Sequence, residues 1–558
     1  MTPRAGAALF LAMAVLFLLA NRAAYQGYFS ADDLDNIDWT RDTGLGEFAR
    51  SLVTPRFQGN NFRPVGHFFY RAMGGLFGLD YPKYVWVIHL LHFVNVWLVW
   101  WLARRLGVGI VAASLGTLFF AFHMALFDNY WKSMYVFDLL CALFSLASLL
   151  LFIQRRFVLS FVAFWLAYKS KELAVMLPAV LLLWQWWLGE RRWKPLVPFF
   201  LVALSFGLQG ILLNPNVGNE YTLRFTPDAV WKSLAFYSSK ILLVPFAGLA
   251  LALLALVFRD RRVWFGLAAM ALFFVPLLVL PGRLFSAYCY LPMTGLAVSV
   301  AAIAARDWIV PVALCCLAWI PWNYHHLRVN RRHALYVAAD NRAYVSALAE
   351  LARQSPATRA FVYDGAPLEL QRWGIAGALR YLFGRAELYS IEDREAVAAL
   401  RSDSVALLNW DTNARALRIV ARQPDTPDAA YVTMDPDTPV WQLGEGWYRL
   451  ENRFRWIQPY ATARLRRPEN ARAFELRVNI SPDQLRETGR THVRVTLNGQ
   501  PVGEREFTAP GWQTVRWPLT PAPAGPARVE FRVTPGFYPA SGDPRHLGIP
   551  IAAFGFPP

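Results

Sequence analysis

Residues 134–153 read MYVFDLLCALFSLASLLLFI and run directly into Gln154-Arg155-Arg156. A helix that crosses a bilayer needs about 20 mostly apolar residues, and basic pairs collect at its cytoplasmic end. Working outward, similar blocks occur at 5–21, 84–102, 108–127, 157–168, 173–188, 195–213, 234–258, 263–280, 288–305 and 308–322, which predicts eleven spans. The composition agrees: of 558 residues, 56% are hydrophobic and 15% aromatic, and the mean hydropathy is +0.28, too apolar for an ordinary soluble protein. The net charge of +17 would suit nucleic acid. However, much of the Arg and Lys falls in short clusters between apolar blocks, where it orients a membrane protein, so no nucleic-acid partner is expected. Cys141, Cys289, Cys315 and Cys316 lie in or beside apolar segments, so the polar C-terminal part has neither a disulfide framework nor a zinc cluster.

The first block follows Arg4 and ends near Ala20, as a signal peptide would, but Asn21-Arg22 interrupts any small-residue cleavage site, so an anchor is expected. Arg104-Arg105, Arg155-Arg156, Arg191-Arg192 with Lys194, Arg259 with Arg261-Arg262, and Arg306 make every second loop basic. The rule that positive loops stay inside then puts the N-terminus in the cytoplasm and the polar C-terminal region outside, as in a bacterial inner-membrane protein. His325-His326-Leu-Arg328 and Arg331-Arg332 fall just beyond the last span and predict an interfacial helix that binds lipid phosphates. The same topology gathers a second set of charges on the outer face. These are Asp32-Asp33-Leu-Asp35 in a long first loop, Asp128-Asn129-Tyr-Trp-Lys132, Lys169-Ser-Lys171-Glu172, and Arg283 followed by Tyr288 and Tyr290. Carboxylates beside apolar walls are costly unless they do something there.

Beyond the membrane block, 334–353 reads as a helix, Ala360–Tyr363 as a strand, 367–383 as a helix, Glu387–Ser390 as a strand, 392–401 as a helix and Val405–Asn409 as a strand, a small α/β layer. No glycine-rich phosphate loop follows any of these strands, so no nucleotide site is expected. From about residue 440 the pattern is short alternating strands, with an Asn498-Gly499 hairpin signal, which predicts a jelly-roll-like β-sandwich. Asp425-Thr-Pro-Asp428 and the Pro-rich stretch to Pro439 mark a linker. Of Trp447, Trp456, Trp512, Trp517, Phe537 and Tyr538, most are expected in the core and the rest could stack on sugar. The domains expected are a membrane catalytic part at 1–325, an interfacial helix with the α/β layer at 326–425, and the linker with the sandwich at 426–558.

Moving a sugar off a membrane-held polyprenyl phosphate needs three things that this layout contains. A carboxylate must take the acceptor's proton, which is worth about a hundred- to ten-thousand-fold in rate. Cations or a metal must stabilise the leaving phosphate. The site must also sit at the bilayer surface, where the lipid tail can reach it.

The membrane block resembles the GT-C superfamily of polyprenyl-phosphate-sugar-dependent glycosyltransferases, and most of all the protein O-mannosyltransferases and related families that use dolichyl-phosphate-mannose. The resemblance rests on Phe29-Ser-Ala-Asp32-Asp33, Asn61-Phe-Arg63-Pro64, His89-Leu-Leu-His92-Phe-Val-Asn95, Trp131 to Leu140, Ser170-Lys171-Glu172 and Tyr288-Cys-Tyr290-Leu-Pro292, in that order over residues 25–295. It implies inverting transfer of a hexosyl-type sugar to an extracytoplasmic glycan, lipid or protein acceptor. Asp33 would be the base, with Asp32 close behind. Asp128 would be the second acidic residue, for acceptor or metal, and Lys171 and Arg283, with Lys169, would face the donor phosphate. Arg63, Glu172, Tyr288 and Tyr290 are pocket candidates. Relatives often carry a histidine and glutamate where this chain has Asp128-Asn129, which leaves a divalent metal ion open. His89 and His92 share a helix face and are expected to hydrogen-bond between helices rather than hold a metal. Asp138 is expected to pair with a helix neighbour. The rival readings are an oligosaccharide ligase or polymerase, a lipid-linked-sugar flippase, and a non-catalytic assembly protein. No inverted repeat favours a transporter, and an assembly role leaves the acidic pair unexplained.

Overall fold

The computed structural model describes residues 3–55, 62–213, 218–305, 308–400, 405–421, 427–540 and 543–557; Asn61, Arg306 and Asp425-Thr426 lie outside them. The chain divides into two compact units, Met1–Ala339 and Asp340–Pro558.

The first unit is helical, and a helix stands at each expected apolar block. Among the described residues, Tyr81–Arg105, Ser133–Ile153, Lys194–Leu212, Arg261–Leu278 and Ser286–Ala304 are long and apolar enough to cross a membrane. Ile110–Ala121 with Met124–Trp131 makes a sixth candidate, bent by 46°. Ala8–Ala20, Phe157–Ser170, Glu172–Trp187 and Ala247–Val257 are shorter apolar helices. The chain is a multi-pass membrane protein.

Two of the expected segments differ from their reading. Residues 234–258 form two helices, Pro227–Ile241 and Leu251–Val257 with a 3-10 lead-in, instead of one. Leu243 and Phe246 have φ near +58°, which no helix tolerates, and Pro245 lies between them. The last apolar block, the basic stretch and the helix expected at 334–353 form one 46-residue helix, Ile309–Gln354, which runs through Pro321. Its Asn323 caps the bend at Phe122-His123: the side-chain amide donates to Phe122 O at 2.6 Å and accepts from Met124 N at 3.0 Å. The exposed peptide groups of a broken helix need such partners.

Four elements of this unit position the site. They are α1 (Ala31–Asp42), α2 (Pro64–Phe77), the five-residue α3 (Phe127–Trp131) and α4 (Val136–Ile153).

In the second unit, β1 (Ala360–Asp364), β2 (Glu387–Ser390) and β3 (Val405–Asp411) pair in parallel. Helices at Arg372–Phe383 and Arg394–Ala399 alternate with these strands, as the βα reading requires. An antiparallel β4 (Ala416–Ala421) completes the order β2-β1-β3-β4. Then follow β5 (Tyr431–Thr433), β6 (Trp447–Glu451), β7 (Phe454–Ile457), β8 (Tyr460–Arg467), β9 (Ala473–Ile480), β10 (Thr491–Leu497), β11 (Gln500–Phe507), β12 (Gly511–Pro518), β13 (Gly525–Thr534) and β14 (Pro550–Gly555). Sheets ordered β11-β10-β13-β8 and β12-β9-β14-β7-β6, with β5 on β14, face each other as an antiparallel sandwich. Inward residues such as Val493, Val529, Phe531, Leu476 and Phe554 fill the space between them. The Asn498-Gly499 hairpin is present, with both residues at positive φ (50° and 80°), as a type I′ turn demands. Trp447 and Trp456 are core, whereas Trp512 (51% exposed) and Tyr538 (64%) are not. A buried ion pair joins the small sheet to the sandwich. Arg455, at the β7 end, donates to both carboxylate oxygens of Asp364 on β1, and Asp364 also accepts from Leu450 N at 3.2 Å. Both side chains are sealed from solvent.

Candidate active site

The acidic pair opens α1. Ser30 is the N-cap, and Asp33 at the third helical position closes a capping box. Asp33 Oδ2 accepts from Ser30 N and Ser30 Oγ, each at 2.9 Å, and Oδ1 accepts from the Tyr70 hydroxyl of α2 at 2.7 Å. The carboxyl is 1% exposed. Burial raises its pKa, and the hydrogen bonds from Ser30 and Tyr70, with the nearby Ser133 hydroxyl, offset this only in part. Asp33 is therefore the anchor of the turn. Asp32, one residue earlier, is only half-buried, and its charge reaches Tyr70.

α2 begins with Pro64, which lacks the N–H that a first turn cannot use. The preceding Arg63 points its guanidinium at Glu172, Nε to Oε1 at 2.9 Å and to Oε2 at 3.2 Å. Its backbone N–H donates to His67 Nδ1 at 2.8 Å. Burial, and then the adjacent Arg63 charge, hold the His67 imidazole down at about 3, so it stays neutral and serves as an acceptor.

From Glu172 a chain of charges continues across separate parts of the sequence. Next to it, Lys171 donates to both oxygens of Asp138 on α4, at 2.6 and 2.7 Å. The same ammonium sits 4.0 Å from the centre of the Tyr288 ring. The Tyr288 hydroxyl accepts from Arg283 Nη2 at 3.2 Å, and Arg283 Nη1 pairs with Glu220 at 2.6 Å. Arg283 also lies over the rings of Tyr221 and Phe285. A cleft of about 580 Å³ opens beside this end, lined by Asn219, Glu220, Arg224, Asp228, Lys232 and Gly282 among others. Thus Arg63, Lys171 and Arg283 are linked through Glu172 and Tyr288, with Asp138 buried against Lys171 and the more exposed Glu172 and Glu220 holding the two arginines.

The other expected site residues have partners outside this chain of charges. Asp128 forms its ion pair with Lys132, 3.8 Å away on the next turn. Lys169 donates to Thr54 O at 2.7 Å and packs over Trp165 and Phe206. Tyr290 lies in the helix core, where its hydroxyl donates to His92 Nδ1 at 2.7 Å and accepts from Asn95 at 3.3 Å. His92 Nε2 faces the carbonyl of Ala121, so it carries the proton. His89 is built the same way, between Tyr25 OH and the Tyr130 carbonyl. With every ring nitrogen engaged, neither histidine offers a metal a lone pair. Among the described residues no three His, Cys, Asp or Glu side chains are placed to share a cation, so no donor set accompanies Asp128 there. Tyr70 and Glu220 carry no signal in the sequence. Tyr70 belongs to a helix that reads as apolar, and Glu220 stands alone in a loop without periodicity.

No protein-family model and no curated protein matches the chain. Among solved structures it is similar to the arabinofuranosyltransferase AftD from Mycobacteria, at 14% identity over 99% of this chain with a TM-score of 0.37. It spans only 61% of that protein. It is also similar to ArnT from Cupriavidus metallidurans, bound to undecaprenyl phosphate and in the apo state. There the identity is 12%, the coverage 73% of this chain and 94% or 93% of that one, and the TM-score 0.41. Scores of this size carry no weight for this chain's chemistry, which rests on its own residues.

Proposed function

We propose that the chain is an inverting glycosyltransferase that moves a sugar from a polyprenyl-phosphate carrier to an acceptor hydroxyl outside a bacterial inner membrane. One observation carries the reading: Arg63, Lys171 and Arg283, 220 positions apart from first to last, lie along one chain of charges with Tyr288. A polyprenyl phosphate is a dianion on a lipid tail, and three cations linked in this way suit its head group. Glu172 and Glu220 are the exchangeable partners. Each holds an arginine by a carboxylate that a phosphate can replace, whereas the buried Asp138 keeps Lys171 in place.

In the reaction the acceptor hydroxyl attacks the anomeric carbon and gives its proton to a carboxylate as the bond between that carbon and the phosphate oxygen breaks. The electron pair leaves with the phosphate, whose new charge the three cations offset. One displacement inverts the anomeric centre. We assign the base to Asp32, with Asp33 holding the turn that presents it, because Asp33 is sealed from solvent whereas Asp32 is only half-buried. The acceptor would approach through the cleft beside Glu220. The mannose-using families that the sequence resembles point to a hexose as the cargo.

The test is mass spectrometry of cell-envelope glycans, lipids and glycoproteins from a strain lacking the gene, complemented with wild-type or Asp32→Asn protein. A missing sugar together with an accumulated lipid-linked donor, restored only by wild type, is expected. Unchanged glycans with no accumulated donor would sink the proposal.

A further inference from the structure

Among the described residues around α3, most polar groups are paired. Asp128 meets Lys132. The Tyr130 carbonyl accepts from His89, and the Trp131 carbonyl accepts from Tyr81. The Trp131 indole donates to Asn21 at 2.9 Å. Between them Asn129 is fully buried, and neither its Nδ2 nor its Oδ1 has a hydrogen-bond partner. The buried hydroxyl of Ser133, just beyond, makes no hydrogen bond of ordinary geometry either, although it is close enough to Asp33 to lower its pKa. An amide orphaned at both ends has given up water for nothing, and native proteins keep few such groups. Packing does not explain it, because leucine has nearly the same shape without the cost.

The segment also connects the two halves of the site. Ser30 Oγ lies 3.2 Å from the Met134 sulfur on the side of the acidic pair. Ser286 Oγ donates to Ala125 O at 2.7 Å, next to the loop that carries Tyr288.

We infer that Asn129 is a specificity-determining residue whose amide hydrogen-bonds the hydroxyls of the sugar being handled. An amide presents an N–H donor and a carbonyl acceptor side by side, and a pair of neighbouring sugar hydroxyls supplies the matching acceptor and donor. The inference rests on the sugar-transfer reading. Since both amide atoms are closed to solvent, α3 must shift as the sugar enters. It has only five residues, and the chain leaves helix at His123 before it and at Lys132 after it.

The experiment uses the full chain in lipid nanodiscs, as wild type and as Asn129→Leu. Binding is measured for undecaprenyl phosphate, bare and carrying mannose, glucose or arabinose, alongside the thermal midpoint. The expectation is that wild type prefers at least one sugar-bearing lipid over the bare one. Asn129→Leu should lose that preference by about tenfold or more, keep its affinity for bare lipid, and unfold no earlier than wild type. If sugar-bearing donors bind the variant normally but the acceptor's KM in transfer rises tenfold, the same hydroxyl contact belongs to the acceptor. A variant that keeps both sugar preference and acceptor KM, that unfolds earlier, or that loses bare-lipid affinity overturns the inference, as does a wild type that prefers no sugar-bearing lipid. Wild type that binds no polyprenyl phosphate at all instead removes the transfer reading.

Discussion

Replacing Lys171 by methionine is the sharpest perturbation of the charge chain. Asp138 is buried, and both its oxygens face the Lys171 ammonium, at 2.6 and 2.7 Å. Removing the ammonium leaves an uncompensated carboxylate in an apolar helix, a loss of about 3–5 kcal/mol in comparable pairs. The lost contact with the Tyr288 ring adds roughly 0.5–2 kcal/mol. Since each 1.4 kcal/mol is about a factor of ten, the folding equilibrium should fall by at least about a hundredfold. The double variant Lys171→Met with Asp138→Leu removes both charges, keeps the volume, and should return to within about 1 kcal/mol of wild type, because a buried pair and its apolar replacement are often nearly equal. The assay is denaturant unfolding of the full chain in one detergent, followed by tryptophan fluorescence, with donor binding measured on the same samples. The double variant should be stable yet bind polyprenyl phosphate poorly. If Lys171→Met alone unfolds like wild type, the pair is not buried as described and the reasoning fails. If the double variant binds the lipid normally, Lys171 is a structural residue only.

Three further outcomes are expected. Asp32→Asn should fold normally and lose transfer by a hundredfold or more, whereas Asp33→Ala should destabilise by about 1–2 kcal/mol through loss of the cap; activity in Asp32→Asn with none in Asp33→Asn would exchange their roles. The His67 imidazole titrates near 3 in the folded chain instead of its ordinary 6.5. The unfolded state therefore binds the extra proton first, and stability should fall as pH drops from 6.5 towards 3, by up to roughly 1.4 kcal/mol per unit. Unfolding midpoints of wild type and His67→Gln across that range check this, and parallel curves would refute it. The raised Asp33 pKa acts in the opposite direction, since the folded chain favours the protonated carboxyl. Its contribution is full below the ordinary carboxylate range and is lost as pH rises through the folded value, so Asp33→Asn should flatten that loss in the same measurement.

The apolar blocks were legible because a spanning helix must be continuous and unmistakably apolar, and the sandwich because Asn498-Gly499 and the alternation over Gly511–Trp517 admit few alternatives. The joint between helices at Leu243–Phe246 was not. Its residues are mostly apolar, and only Pro245 hints that the chain breaks there. At the site, the sequence singled out Asp32, Asp33, Arg63, Lys171, Glu172, Arg283 and Tyr288 one by one, but their pairing depends on which helix ends meet. The helix neighbour expected to pair with Asp138 is Lys171, which nothing in the local sequence identifies. Glu220 gave no signal, because one carboxylate in an irregular loop looks like any solvated residue. The order of Asp32 and Asp33 depends on a capping box, and that became visible only once Ser30 and Tyr70 were placed.

The sealed Arg455–Asp364 pair has a consequence for anyone dissecting this protein. Cutting the chain between the small sheet and the sandwich would strand a guanidinium in one fragment and a carboxylate in the other, each in a seat that excludes water. Neither piece should be soluble alone, and limited proteolysis should leave the small sheet and the sandwich together in a single fragment rather than in two.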